Sequence, residues 1–168
     1  LGLRSHLVLR GTAPALADGN LLIDQLVGAA ITFAPLPESQ AMDETYQRLS
    51  EHYAALGLTT YRIPVGASDE IGLWGYVNCA AELKRDFDSA GVQPEAIVSA
   101  TGSGGTLAGL IIGNALHQLG SEVYAFNVCD DEAYFQAKIG EDFSAWRQRY
   151  DTELDPRDLP INVIDGYV

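Results

Sequence analysis

Hydrophobic and polar residues follow two alternating patterns along the chain. Short runs rich in β-branched and aliphatic residues, typical of strands, occur at residues 6–10, 30–34, 59–64, 96–100, 122–128 and 161–164. Most of these runs lack a polar residue at every second position, as expected for parallel strands that are covered on both faces. The pattern therefore predicts parallel strands at these six places.

Segments with the periodicity of an α-helix separate the strands. Two apolar stripes have this spacing: Tyr46, Leu49, Tyr53 and Leu56, which end at Gly57, and Tyr76, Ala80, Leu83 and Phe87. A last long helix is predicted over residues 131–150, because Asp131 and Glu132 would complement its N-terminal dipole. The alternation predicts an α/β fold with open, mostly parallel sheets, flanking helices and right-handed crossovers.

Composition narrows the classes of function. The chain has 168 residues, of which 47% are hydrophobic and 20% charged, so it can bury a core. Its formal net charge of -13 repels phosphate backbones and anionic lipid surfaces, so neither a nucleic acid nor a membrane is an expected partner. The longest apolar run, residues 107–112, is far shorter than the roughly 18 residues that span a bilayer.

Cysteine and histidine spacing points to no metal and no disulfide. Cys79 and Cys129 are far apart in sequence, and the three histidines show no ligand spacing to each other or to a cysteine. We therefore expect no metal site, and a reducing, cytoplasmic location.

The most informative segment is the glycine-rich turn, which consists of Gly102, Ser103, Gly104, Gly105 and Thr106 between a predicted strand and a predicted helix. Glycines let consecutive backbone N–H groups converge, and a helix N-terminus adds the positive end of its dipole. The two hydroxyl groups add further donors. The turn therefore predicts an anion site for the phosphate of a mononucleotide or a cofactor. The alternative is a tight turn whose small residues only allow close packing.

Three known motifs match the glycine-rich turn only in part. A P-loop for nucleoside triphosphates requires a lysine after its glycines, and no lysine follows this turn. A Rossmann fingerprint needs glycine where Leu107 stands, although Asp130 follows the next strand like a ribose-binding acid. A nucleophile elbow would use Ser103, but Thr101 replaces its first glycine and the only downstream histidine, His117, lies about 20 Å along the next helix. A Rossmann-like nucleotide-binding protein stays an alternative, whereas a catalytic triad does not.

Three stretches occur in the order and spacing of a known family. They are residues 1–11 with 19–29, residues 63–83 (IPVGASDEIGLWGYVNCAAEL) and residues 97–110 (IVSATGSGGTLAGL). Together they resemble the pyridoxal-phosphate enzymes of the 1-aminocyclopropane-1-carboxylate deaminase and D-cysteine desulfhydrase family, which have the tryptophan synthase β-like fold. The resemblance runs along the whole chain.

The resemblance implies a cofactor, a substrate and a site. Pyridoxal 5'-phosphate would be the cofactor, and the glycine-rich turn, Gly102 to Thr106, would hold its phosphate. The substrate would be a small amino acid, with C–S bond cleavage in D-cysteine favoured over ring-opening deamination, and the enzyme would be a homodimer. The family's block between its two lobes corresponds to Pro64, Val65, Gly66, Ser68, Ile71, Gly72, Gly75 and Tyr76.

The resemblance also implies two lobes and a departure from the family. Residues 1–66 would belong to a smaller lobe that covers the cofactor, and residues 67–168 to a larger lobe with the glycine-rich turn. The family's Schiff-base lysine precedes the part that this chain resembles, so we expect a chain truncated at both ends: a fragment, a partial gene product or a degenerate relative. It would have no catalytic residue of its own and be inactive alone.

The two lysines of the chain do not replace the missing one. We expect Lys84 and Lys138 on solvated helix faces, whereas a Schiff-base lysine needs a desolvated pocket. A non-catalytic binding or assembly module on the same fold is therefore a further alternative.

Overall fold

A computed structural model describes residues 2–34 and 39–167, without the side chains of residues 39–41, and confirms the predicted α/β architecture. The chain divides into two compact units, Leu1–Arg62 and Ile63–Val168. The sequence placed a lobe boundary between residues 66 and 67, a few residues beyond this division.

The first unit is a β-α-β arrangement followed by a helix. Its elements are strand β1 (His6–Arg10), helix α1 (Gly19–Leu26), strand β2 (Ala30–Ala34) and helix α2 (Ser39–Ala55). The two strands are parallel, with His6 opposite Ala30. Both strands have the predicted bounds.

A polar contact ties α2 to both strands. The His6 ring lies between two hydroxyl groups, with Nδ1 2.6 Å from the Tyr53 hydroxyl and Nε2 2.8 Å from Thr32 Oγ1. Burial, and secondarily the neighbouring His52, lowers the pKa of His6 below its ordinary value. The neutral ring is therefore the favoured form in this unit.

The second unit is a parallel sheet with helices. Its main elements are helix α3 (Trp74–Ala90), strand β3 (Ala96–Thr101), helix α4 (Gly105–His117), strand β4 (Glu122–Asn127), helix α5 (Glu132–Arg149) and strand β5 (Asn162–Ile164). The strands are parallel in the order β3-β4-β5, with Thr101 opposite Asn127. The carboxyl ends of β3 and β4 therefore meet at one edge of the sheet.

The core of this unit surrounds α4, which is buried along most of its length. The largest fully buried apolar side chains are Leu73, Leu107, Ile112, Leu119, Phe135, Ile139, Phe143 and Trp146. Helix α5 starts at a cap, since the Asp131 carboxylate accepts from the Tyr134 N–H at 2.8 Å. The predicted helix over residues 131–150 is thereby confirmed.

A glycine stripe lets α3 and α4 approach closely. It consists of Gly105, Gly109 and Gly113, spaced one turn apart on α4. A Cβ added at Gly109 would lie 2.6 Å from the Leu73 carbonyl oxygen, and one added at Gly113 would lie 2.5 Å from Ala80 Cβ. These helices therefore pack backbone against backbone, which larger side chains would prevent.

The predicted strand at residues 59–64 is wrong, because this segment forms no strand in the described part of the chain. Instead its side chains contact α2: Thr60 donates to Ser50 Oγ at 3.3 Å, and Arg62 pairs with Asp43 at 2.6 Å. The Arg62 guanidinium also lies 4.2 Å from the centre of the Tyr46 ring. β-Branched residues favour a strand only where the backbone finds a pairing partner.

Burial departs from the sequence pattern at two further places. Tyr76, expected on the apolar stripe of α3, is 42% exposed, whereas its neighbour Val77 is fully buried. A Cβ added at Gly109 would lie 2.6 Å from Tyr76 Cβ, so Tyr76 packs against α4 by the base of its side chain while the residue stays partly exposed. Val98 on β3 is 60% exposed, so the residues that the structure describes do not cover both faces of this strand as expected.

Candidate functional site

The glycine-rich turn lies where β3 ends and α4 begins. This is the carboxyl edge of a parallel sheet, where open α/β folds bind ligands. Gly104 has a φ of 90°, a left-handed conformation, and a Cβ there would lie 3.2 Å from Ile139 Cγ1. Glycine at this position lets the chain turn sharply into the helix.

The turn keeps unpaired main-chain donors. Within residues 2–34 and 39–167, the N–H groups of Ser103, Gly104 and Thr106 have no hydrogen-bond acceptor. Such groups are the orphan donors of a helix N-terminus, and the helix dipole adds positive potential around them. The turn therefore has the donors and the sign of charge that an anion requires.

One donor of the turn is already occupied. The Gly105 N–H donates to the Ser68 hydroxyl at 3.0 Å, and Ser68 in turn donates to Ser103 Oγ at 2.8 Å. Each hydroxyl has one proton, so Ser68 uses its own and Ser103 keeps its proton for another acceptor. The anion site predicted from sequence thus loses one amide and retains the Ser103 hydroxyl.

Gly66 fits the chain against this pair of hydroxyl groups. Its φ is +68°, and a Cβ there would lie 2.1 Å from Ser103 Oγ. Any side chain at residue 66 would both strain the backbone and displace Ser103. The segment of residues 66–68 and the glycine-rich turn therefore fit each other only with glycine here.

Lys138 is not on a solvated helix face, and that expectation is wrong. Its side chain is 26% exposed, and its ammonium group lies 2.6 Å from Asp142 Oδ1 and 3.2 Å from the Ser68 carbonyl oxygen. Lys84 differs: its side chain is 37% exposed and that of its partner Asp88 is 63% exposed. Burial raises the pKa of the Asp142 carboxyl, and the hydrogen bond from Lys138 opposes this effect.

Sequence reasoning missed Ser68, Lys138 and Asp142 as neighbours of the turn. The spacing of Lys138 and Asp142, four residues apart on a helix, signals an ion pair. It carries no information about which part of the fold that pair faces.

A second polar network lies at the same edge of the sheet. Asp165, just after β5, accepts from Asn127 Nδ2 at 2.9 Å, from the Gly166 N–H at 2.7 Å and from the Glu132 N–H at 3.3 Å. These donors, the backbone groups foremost, lower the pKa of Asp165. The Asp165 carboxylate thus links β4, β5 and α5. Thr101 and Asn127 are opposite each other on β3 and β4, and their buried atoms Thr101 Oγ1 and Asn127 Oδ1 have no hydrogen-bond partner within the described residues.

Cys129 lies beside the turn, whereas His117 lies far from it. The Cys129 thiol contacts the Gly102 carbonyl oxygen and the Asp130 carboxylate, both at 3.3 Å. Loss of hydration, and then the hydrogen bond to Asp130, raises the pKa of Cys129, which disfavours a thiolate nucleophile. His117 is the last residue of α4, at the end opposite to the turn. Among the described residues, no three metal-ligating side chains cluster together.

Within the described ranges, no helix combines the length and apolar character that a transmembrane helix needs.

Comparisons with known proteins agree with the sequence resemblance. A family model described as pyridoxal-phosphate dependent enzyme matches residues 1–153. The chain is 39% identical over 145 residues to the mitochondrial bifunctional D-cysteine desulfhydrase/1-aminocyclopropane-1-carboxylate deaminase of Arabidopsis thaliana, covering 80% of this chain and 36% of that protein. It is 35% identical over 167 residues to a putative 1-aminocyclopropane-1-carboxylate deaminase of Thermotoga maritima, covering 99% and 52%.

Further similarity comes from a bacterial enzyme and a solved structure. The D-cysteine desulfhydrase of Serratia proteamaculans is 34% identical over 101 residues, covering 58% of this chain and 29% of that one. A crystal structure described as an ACC deaminase homologue superposes with a TM-score of 0.80 at 26% identity, covering 98% of this chain and 48% of that one. The chain thus spans about half, or less, of the proteins that it matches.

Proposed function

Because this chain belongs to the family of pyridoxal-phosphate dependent enzymes, we propose that its glycine-rich turn binds the phosphate of pyridoxal 5'-phosphate. The proposed cofactor-binding residues are Gly102, Ser103, Gly104, Gly105 and Thr106. Gly105 contributes through its missing side chain, since a Cβ there would lie 2.6 Å from Ser68 Oγ.

The observation that carries the proposal is the set of free donors at the turn. A phosphate monoester carries close to two negative charges at neutral pH and accepts several hydrogen bonds. The N–H groups of Ser103, Gly104 and Thr106 are unpaired among the described residues, and the Ser103 hydroxyl keeps its proton. The helix dipole of α4 supplies the matching potential. The residues present therefore fit the phosphate of this cofactor.

In this proposal the cofactor, the glycine-rich turn and the two lobes have different roles. When bound, pyridoxal phosphate supplies an electron sink for the carbanion that forms on an amino acid. The turn orients the cofactor by its phosphate, and the sheet edge behind it holds the turn in place. In this proposal residues 67–168 belong to the larger lobe and residues 1–66 to a smaller lobe that covers the cofactor.

The proposed reaction of the complete enzyme is C–S bond cleavage in D-cysteine, that is, a D-cysteine desulfhydrase. The relatives named above include D-cysteine desulfhydrases as well as 1-aminocyclopropane-1-carboxylate deaminases, and both act on small amino acids by their names. We favour the desulfhydrase on overall resemblance, in a cytoplasmic homodimer. Purified complete enzyme that releases sulfide from D-cysteine, and not ammonia alone from the cyclic substrate, would support this choice.

The residues of this chain supply no Schiff-base lysine in our proposal. Lys138 is held by Asp142 and by the Ser68 carbonyl oxygen, and Lys84 is paired with Asp88 at 2.5 Å. Borohydride reduction at a one-to-one ratio of cofactor, followed by peptide mass spectrometry, should find neither lysine stoichiometrically modified. A single fully labelled lysine would overturn this part of the proposal.

Phosphate binding is tested by comparing two ligands. Calorimetric titration with pyridoxal 5'-phosphate and with pyridoxal, which lacks the phosphate, measures what the turn contributes. The purified chain should bind the phosphorylated form more tightly, and Ser103→Ala and Thr106→Val should each reduce this preference by about threefold to tenfold, the worth of one hydrogen bond. Ser89→Ala, an exposed serine on α3, is the matched control and should leave it unchanged. Equal affinity for the two ligands in the unaltered chain would refute the assignment.

An exposed apolar surface favours a second candidate function, that of a non-catalytic assembly module. On α1 and just after it, Leu22, Ile23, Leu26 and Val27 are 42%, 57%, 76% and 73% exposed. Apolar groups that cluster in this way mark interaction surfaces. Light scattering after size-exclusion chromatography tests the assembly module: it should self-associate at low concentration without the cofactor, and a stable monomer argues against it.

A further inference from the structure

We propose that Lys138, together with Asp142, is a positioning residue for the glycine-rich turn. By holding the Ser68 carbonyl oxygen it keeps the Ser68 hydroxyl on the Gly105 N–H, which leaves the Ser103 hydroxyl as a donor for phosphate. This inference rests on the proposed function for the identity of the ligand. The contacts that carry it belong to residues 68, 103, 105, 138 and 142, all in the second unit.

Lys138 has no donor left for a ligand. An ammonium group has three donors. They face Asp142 Oδ1 at 2.6 Å, Asp142 Oδ2 at 2.5 Å and the Ser68 carbonyl oxygen at 3.2 Å. The neighbouring carboxylate, whose side chain is only 9% exposed, also compensates its charge. Lys138 therefore acts on the turn through Ser68 and not as a direct phosphate ligand.

Ser68 transmits the position of α5 to the turn. Its carbonyl oxygen contacts Lys138, while its hydroxyl accepts from the Gly105 N–H at 3.0 Å and donates to Ser103 Oγ at 2.8 Å. The residue is only 4% exposed, so its hydroxyl has little access to water as a substitute partner. If the carbonyl is released, both hydroxyl contacts lose their fixed geometry.

The aliphatic part of Lys138 also lies beside the turn. A Cβ added at Gly104 would lie 3.8 Å from Lys138 Cγ and 3.2 Å from Ile139 Cγ1. The same turn of α5 thus packs against Gly104 and holds Ser68. Movement of the Lys138 side chain would therefore change both the packing against Gly104 and the contact with Ser68.

The test removes the contact between Lys138 and the Ser68 carbonyl oxygen without leaving a buried charge. Lys138→Met with Asp142→Leu replaces the ion pair by apolar side chains, a change that is often neutral for stability. The matched control is Lys84→Met with Asp88→Leu, which removes an ion pair of the same spacing on the exposed face of α3. Near-ultraviolet circular dichroism of Trp74 and Trp146 verifies folding. If the first variant does not fold, Lys138→Gln with Asp142→Asn replaces it. The glutamine side chain is shorter than that of lysine, so the contact with the Ser68 carbonyl oxygen is lost.

Two readouts decide the role of Lys138. In hydrogen exchange followed by NMR, the Gly105 amide should exchange about tenfold faster in the Lys138 variant than in the unaltered chain. Its exchange rate should be unchanged in the Lys84 control. In calorimetry, affinity for pyridoxal 5'-phosphate should fall by about tenfold, while affinity for pyridoxal stays the same. Ser68→Ala should give the same losses.

Coupling between the variants separates positioning from an independent effect. If Lys138 acts only through Ser68, adding Ser68→Ala to the Lys138 variant causes no further loss of affinity. Losses that multiply, or a Gly105 exchange rate that matches the control, overturn the inference. If the unaltered chain does not distinguish the two ligands, the proposed function fails, and the Gly105 exchange rate alone still decides whether Lys138 positions Ser68.

Discussion

Replacing Gly109 by alanine tests whether the packing of α3 on α4 depends on the glycine stripe. The added Cβ would lie 2.6 Å from both the Leu73 carbonyl oxygen and Tyr76 Cβ. These atoms belong to or adjoin the backbone of α3 and do not swing aside as the end of a flexible side chain does. The helix must retreat by roughly 0.8 Å, the difference between 2.6 Å and the 3.4 Å at which ordinary contact begins.

The expected loss follows from two opposing effects. Alanine is favoured over glycine inside a helix by about 1 kcal/mol. Overpacking costs about 1–3 kcal/mol, and a gap of about 0.5–1 Å forfeits a quarter to a half of the dispersion energy of the atoms around it. Because Leu73 and Val77 on either side of the contact are fully buried, retreat of α3 opens such gaps in the core. We expect Gly109→Ala to lower the free energy of unfolding by about 1–2 kcal/mol.

Gly140 provides the matched control. It lies inside α5, and a Cβ there would meet no atom within 4 Å, so Gly140→Ala should stabilise by up to about 1 kcal/mol. Urea unfolding followed by tryptophan fluorescence reports on the second unit, since both tryptophans, Trp74 and Trp146, lie in it. The reasoning is refuted if Gly109→Ala is as stable as the unaltered chain, or if the two variants shift in the same direction.

Three further predictions concern titration and the core. The pKa of His6 is lowered from 6.5, so the stability that its neutral form contributes is complete above pH 6.5 and is lost as the pH falls through the folded value; an NMR titration that gives a pKa of 6.5 or higher contradicts this. The hydrogen bond from the Arg157 guanidinium holds the pKa of Asp155 at about 2, so the contribution of this carboxylate to stability is present above pH 3.8 and is lost towards pH 2. Arg157→Gln should return the pKa of Asp155 towards 3.8 in a carbon-detected NMR titration, and an unchanged pKa would disprove the pairing. Phe135 is fully buried, so Phe135→Ala should cost about 3–5 kcal/mol in the same urea assay, and a loss below 1 kcal/mol would show that the core is not packed around it.

Secondary structure could be predicted where the local pattern and the tertiary partners agree. Strands β1 and β2 and helix α5 have the predicted bounds to within one residue, since each combines a clear pattern with flanking glycine, proline or a capping residue. Residues 59–64 have the composition of a strand, yet they pair with α2 side chains. Composition records which backbone conformation a residue tolerates, and the fold decides whether a strand is there to pair with it.

The glycine-rich turn was predicted from sequence because its requirement is local. Glycines at fixed spacing between a strand and a helix determine where backbone N–H groups are free, whatever surrounds them. That Ser68 occupies one of these groups follows from a contact across 37 residues of chain. Such a contact depends on how α3, α4 and α5 pack, which no short motif encodes.

The two lysine pairs show the same division between sequence and structure. Lys84 with Asp88 and Lys138 with Asp142 have identical spacing on long helices, and the sequence determines that each forms an ion pair along its helix. Only the tertiary structure decides that the second pair faces the glycine-rich turn, half-buried, with the Ser68 carbonyl oxygen as a third partner. The physical reason is that helical spacing fixes which side chains of one helix meet, whereas the environment of that face is set by elements far away in the chain.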